Sequence, residues 1–140
     1  MWLYNCSKTF LARLKHDDDL LCAIKDTFQS SSVGMGVFMA IGAVKKARIA
    51  FYDQKERIYI EEQIDEPAEI LSCIGNVSEK NGEIFVHAHI TLGLKDGSVK
   101  GGHLIEGTKI FACELYGAVL EGEQLERCFD DVTGLTLWHY

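Results

Sequence analysis

Ten consecutive residues near the middle of the chain carry its most reactive pattern: Glu83-Ile84-Phe85-Val86-His87-Ala88-His89-Ile90-Thr91-Leu92. Side chains alternate across a strand, so Ile84, Val86, Ala88, Ile90 and Leu92 share one apolar, core-facing side. His87, His89 and Thr91 share the other. Two imidazoles at i and i+2 lie ~7 Å apart along a strand, which lets a nitrogen from each converge on one ion.

A third histidine follows in Gly101-Gly102-His103, after Lys95-Asp96-Gly97, a turn that makes the two segments a hairpin. Its register decides where His103 points. A two-residue Asp96-Gly97 turn sets His103 opposite Ile90, facing the core. A three-residue Lys95-Asp96-Gly97 loop, with Gly97 in the left-handed bulge position, sets Leu94 opposite Ser98 and His103 opposite His89. In that register Ala88 lies opposite Leu104, and His87 is diagonal to His103. Three neutral imidazoles with an open fourth position describe a catalytic or labile metal site rather than a closed structural one. The competing reading is a polar sheet face whose histidines bond each other, a partner chain or solvent. Gly101 and Gly102 leave room beside the site for a ligand or a neighbouring chain. Imidazole suits zinc, and also other divalent transition metals. His16 and His139 read as surface residues.

The elements that must hold this face are mostly strands. Trp2 to Leu14 alternates as a first strand. His16-Asp17-Asp18-Asp19 supplies an N-cap and acidic residues for the positive end of a helix dipole. Leu20, Leu21, Ile24 and Phe28 then recur at helical spacing, predicting one amphipathic helix from about Asp18 to Gln29, ended by Ser30-Ser31-Ser32. Strands are expected over Gly34–Ile41, Ala47–Tyr52, Arg57–Ile64, Ala68–Val77, Glu83–Leu92, Ser98–Ile105 and Ile110–Leu120, with Gly42 a turn or bulge. The segment carrying Leu125, Phe129, Leu135 and Trp138 is expected to pack over an edge. One helix among about seven strands, without βαβ alternation, indicates an α+β fold with a mostly antiparallel sheet.

Length and composition set bounds. The 140 residues suit a single domain spanning 1–140, with 47% hydrophobic and 25% charged residues. No apolar run approaches the ~20 residues of a membrane helix. Met1 to Cys6 lacks a basic region followed by an apolar stretch, so a signal peptide is not expected and a cytoplasmic location is. The five cysteines are scattered, with no C-x-x-C pair. Cys73 and Cys113 fall in apolar strands as structural thiols. The net charge of −7 argues against direct nucleic-acid binding, which needs cations for phosphates. Lys45-Lys46-Ala47-Arg48 is too short a cluster to reverse that.

The combined motifs resemble those of the PPC (plant and prokaryote conserved) domain. They are His87-Ala88-His89-Ile90-Thr91-Leu92, Asp96-Gly97 and Gly101-Gly102-His103-Leu104. Phe10 to Leu14 and Ala40 to Val44 look like the family's first two strands. Glu69-Ile70-Leu71-Ser72-Cys73-Ile74-Gly75-Asn76 looks like a further one, and Glu114 falls where the family often has an acid. The likeness runs from about residue 4 to 122 and departs at His16-Asp17-Asp18-Asp19, where many members have Gly-Glu.

The resemblance implies an antiparallel sheet with a packed helix, assembled as a homotrimer, of the stand-alone prokaryotic type. Plant members place basic AT-hooks before the domain; the Arg-Gly-Arg core of that motif is absent here. The resemblance makes a metal at His87, His89 and His103 plausible, zinc or another divalent ion, with a small ligand or partner bound beside it. The fold is also similar to that of α-acetolactate decarboxylase, which suggests a metal-dependent lyase or hydrolase as an alternative. A DNA-associated regulatory role, as in the plant relatives, is a further one. Acid–base chemistry would need a neighbour, for which Arg13, Glu69, Glu106 and Glu114 are nominees without an assigned role.

Overall fold

A computed structural model describes residues 1–30 and 34–139. Apolar alternation produces the expected strands, in the order β1 (Asn5–Leu14), α1 (Leu20–Ser30), β2 (Gly36–Asp53), β3 (Ile58–Ile64), β4 (Ala68–Lys80), β5 (Glu83–Gly93), β6 (Val99–Leu104), β7 (Lys109–Glu121), β8 (Arg127–Asp130) and β9 (Leu135–Trp138). Seven strands form one antiparallel sheet, ordered β1-β7-β2-β4-β5-β6, with β3 added on β2. The α+β class and mostly antiparallel sheet stand as read from the sequence.

Two expected strands, Gly34–Ile41 and Ala47–Tyr52, are halves of one. Gly42 does not turn the chain; it bulges it, at φ 145°, with register shifts against β4 and β7 on either side. A Cβ at Gly42 would lie 2.1 Å from the Ala112 carbonyl oxygen, so the neighbouring backbone can approach only a glycine. The bend lets one strand serve two sets of partners. The first half of β2 pairs with β4 and β7, and the second with β3 and, at Ile49–Leu104 and Ala50–His103, with β6. The path β2-β4-β5-β6 therefore returns to β2.

Helix α1 begins at Leu20, two residues later than the acidic run suggests, because Asp19 is the cap. Its Oδ1 accepts from the Leu21 and Cys22 N–H groups at 3.1 and 3.2 Å, while Oδ2 accepts from Gly107 N–H at 2.7 Å. One carboxylate thus ties the helix start to the β6–β7 connection. Of the Ser30–Ser32 stop, Ser31 and Ser32 lie outside the described residues. Leu20, Ala23, Ile24 and Phe28 bury the helix against the inner sheet face, where Phe28 packs edge-on to Phe10 at 5.4 Å. Ala88, Ile90, Leu92 and Leu104 belong to the same core. Cys73 and Cys113 are buried in it, and burial pushes their thiols up to about 12 and about 11. All five cysteines are free.

The outer face stays open. Successive cross-strand partners Leu11, Tyr116, Met39, Ile74, His89 and His103 form a row across six strands. Leu11 is 85%, Met39 52% and Ile74 58% exposed, so an apolar stripe leads to the histidines. The C-terminal hairpin β8–β9 covers the end of that face at β4, where Glu79 N–H donates to Leu125 O at 3.0 Å. Among the described residues no helix is long and apolar enough to cross a membrane.

Candidate metal centre

The β5–β6 hairpin adopts the three-residue loop. Gly97 has φ 84°, the left-handed value that glycine takes without cost, and Leu94 N–H donates to Ser98 O at 2.9 Å. Asp96 closes the turn through the Ser98 N–H and hydroxyl at 2.9 and 2.6 Å. Five registered pairs run from Gly93–Val99 to His89–His103, and His103 shares the outer face with His87 and His89. The two-residue alternative, with His103 in the core, is excluded.

The three rings form a tight triangle. Their centroids are 5.3 Å (His87–His89), 5.0 Å (His87–His103) and 5.6 Å (His89–His103) apart. One ring nitrogen from each lies within 4.8 Å of the others, close enough for a single ion to meet all three. Burial lowers the His87 pKa to about 4, with His103, Arg127 and His89 adding unfavourable charge. Burial lowers that of His103 as well, with His89 and Arg127 contributing. Both rings are neutral at neutral pH, the form in which imidazole offers a lone pair. The donor set therefore fits a divalent transition metal.

The wall of the site comes from residues the sequence reading did not single out. Tyr59 of β3 stands 5.2 Å from the His103 ring, placed there by the β2–β3 ladder. Asn76 of β4 is the cross-strand partner of His87, and its Oδ1 accepts from Arg127 Nη2 at 2.7 Å. Arg127 is only 5% exposed; its Nε donates to Ser78 Oγ at 2.9 Å and its Nη1 to Thr136 O at 3.2 Å. The guanidinium carbon lies 5.2 Å from both the Phe85 and Trp138 ring centres. No local motif marks Arg127, since its neighbours β4 and β5 are remote in sequence.

Two cavities adjoin the triangle. One of about 600 Å³ lies over the apolar stripe, lined by Met39, Ile74, Tyr116, His87 and His89. The other, about 200 Å³, lies between His87, His103 and the β8–β9 hairpin. Gly101 is opposite Thr91 on the histidine side, lines neither cavity, and a Cβ there would lie 2.9 Å from Ile90 O, so it serves the close pairing of β6 with β5. Gly102 faces the other way, where a Cβ would lie 2.8 Å from Ala50 O; it serves the close passage of β6 beside β2. The nominees Arg13, Glu69, Glu106 and Glu114 are exposed and line neither cavity. Arg13 and Glu114 face each other across β1–β7, and Glu69 lines a separate cavity with Leu94 and Phe111. His16 and His139 are exposed and take no part in the triangle, with His16 Nδ1 at 2.8 Å from Phe111 O.

A family model for the Plants and Prokaryotes Conserved (PCC) domain matches residues 3–121. No curated protein matches the sequence. A metal-containing protein from Archaeoglobus fulgidus is 42% identical over 100% of this chain and 99% of its own, with TM-score 0.95. A plant- and prokaryote-conserved protein from Pyrococcus horikoshii is 34% identical over 100% and 96%, with TM-score 0.94. A "putative DNA-binding protein" from Bacteroides thetaiotaomicron is 22% identical over 97% and 96%, with TM-score 0.86. Its description does not bear out the expectation that nucleic-acid contact is disfavoured, and likeness at that level is one of fold. The same holds for acetolactate decarboxylase from Bacillus subtilis, 13% identical over 89% of this chain and 56% of that one, with TM-score 0.58.

Proposed function

Because the chain belongs to the Plants and Prokaryotes Conserved domain family, we propose that it is a single-domain, homotrimeric metal-binding protein whose ion is held by His87, His89 and His103. The observation that carries this reading is the convergence of three imidazole nitrogens within 4.8 Å. The description of the Archaeoglobus relative as metal-containing supports it. Zinc is the expected ion, and cobalt, nickel or copper suit the same donors. Three protein ligands leave a coordination position for a small molecule or partner group, reached from the two adjoining cavities. A bound divalent ion would polarise an oxygen of that ligand as a Lewis acid.

Binding is favoured over lyase or hydrolase chemistry by the lining of the two cavities, which among the described residues holds no carboxylate to move a proton. The apolar row from Leu11 to Ile74, supplied by β1, β7, β2 and β4, supports self-association. Five free cysteines suit a reducing cytoplasm.

Metal analysis of untagged protein tests the reading. One ion per chain is expected in the wild type and a large loss in His87→Ala, His89→Ala and His103→Ala. Full metal content in the His87→Ala and His103→Ala variants would overturn it. Anomalous scattering across the metal edges then identifies the ion.

A further inference from the structure

The molecule carries a net charge of −7, yet the cavity beside the histidines has the opposite character. Its lining includes Arg127 and Lys80, and among the described residues no carboxylate. Neither cation takes part in an ion pair among the described residues. Lys80 Nζ and the Arg127 guanidinium both lie 5.2 Å from the Phe85 ring centre. Two cations on one ring repel each other, and a buried cation without a counter-charge is costly unless something supplies one.

Among the described residues Arg127 is anchored without a counter-charge. Asn76, Ser78 and Thr136 take three of its N–H donors, all through neutral acceptors. Of the five donors of a guanidinium, two remain. The planar fork is fixed by those bonds and by the Phe85 and Trp138 rings, so little freedom is lost when an anion docks. Tyr59, Phe85, Leu135 and Leu137 give the same cavity apolar walls. A volume of about 200 Å³ accepts only a few non-hydrogen atoms.

We infer that this cavity is a subsite for a short-chain carboxylate, its carboxyl group on Arg127 and Lys80 and its carbon skeleton against Tyr59 and Phe85. The inference deepens the proposed metal centre: the end of the ligand nearest His87 and His103 is where a second oxygen would meet the ion. The cations neutralise the carboxylate, and the apolar walls favour a carbon-bearing anion over an inorganic one.

Saturation-transfer NMR of lactate and propionate, with phosphate and chloride as competitors, tests the subsite in metal-free protein. Both acids are expected to bind, with affinity lowered about tenfold or more in Arg127→Gln and several-fold in Lys80→Gln. Equal affinity in wild type and Arg127→Gln overturns the inference. If Arg127→Gln proves unfolded by circular dichroism, Lys80→Gln decides, and affinity within about twofold of wild type overturns it. Phosphate displacing lactate at equal concentration overturns the carboxylate assignment. The visible spectrum of cobalt-loaded protein separates this from the metal reading. Cobalt bound with no lactate response leaves the metal centre standing and removes the subsite. Lactate bound through Arg127 in protein that takes no cobalt does the reverse. Lactate shifting the cobalt bands more than propionate supports both.

Discussion

His89 on β5 stands directly opposite His103 on β6, the last registered pair of that hairpin, with their rings 5.6 Å apart. That one cross-strand pairing turns an H-x-H dipeptide into a triangle of donors. It rests on the residue count of the turn five pairs away.

Gly97→Ala tests that dependence. Nothing crowds the Gly97 Cβ position, so the effect is the conformational cost of a left-handed alanine, about 1–2 kcal/mol. Urea unfolding at fixed protein concentration should show that loss. Metal affinity should fall with it, while Gly97→Asn, which tolerates this conformation, should recover most of both.

Ser78→Ala probes the support behind the site. Ser78 is fully buried, and its Oγ accepts from Arg127 Nε at 2.9 Å and from Trp138 Nε1 at 3.2 Å. Removing the hydroxyl strands the buried Arg127 donor and the part-buried Trp138 one, at a cost of about 1–3 kcal/mol. Trp138 fluorescence should shift as the β8–β9 hairpin loosens, and Ser78→Thr should restore the bond if the added methyl fits.

The acid limb of stability in metal-free protein should carry the mark of His87. Its pKa falls from 6.5 to about 4 on folding, chiefly through burial. Between those values the unfolded chain holds a proton that the folded one lacks, so stability rises with pH there. The contribution is complete above about 6.5 and is lost as pH falls toward about 4. Denaturant titrations between those limits should show a positive slope that His87→Gln flattens. Bound metal should steepen it, since ligands must be deprotonated.

Ile74→Asp addresses assembly. Ile74 is 58% exposed at the histidine end of the apolar row and sits opposite His89. Sedimentation of the wild type should give about three times the 15.7 kDa chain mass, and the aspartate variant should dissociate. A wild-type monomer at micromolar concentration would refute the trimer.

Much of this arrangement was legible from short-range pattern. Period-two alternation placed the core side of β5, and Lys95-Asp96-Gly97 offered the bulged loop as one of two registers. Asp19 was visible as one of several caps. These follow from backbone geometry within a few residues, which a sequence displays directly. Choosing the three-residue loop over the two-residue turn required the fold, because the two differ in whether His103 or Leu104 takes the inner face, and it is Leu104 that is buried. The continuity of β2 through Gly42 was hidden for a similar reason: a glycine marks turn and bulge alike until its partners on β4 and β7 are known.

The residues around the triangle were beyond reach. Tyr59, Asn76 and Arg127 arrive from three strands distant in the chain, and each looks locally like an ordinary strand residue. The acids nominated from the sequence went elsewhere, because alternation says which side of a strand a residue takes but not what lies across from it. By itself, then, the sequence determined that His87 and His89 share a face, through the period of the strand, and left the side taken by His103 to the hairpin register. The tertiary structure decided what surrounds them, because a buried cation, its neutral anchors and a small cavity exist only once remote strands are packed together.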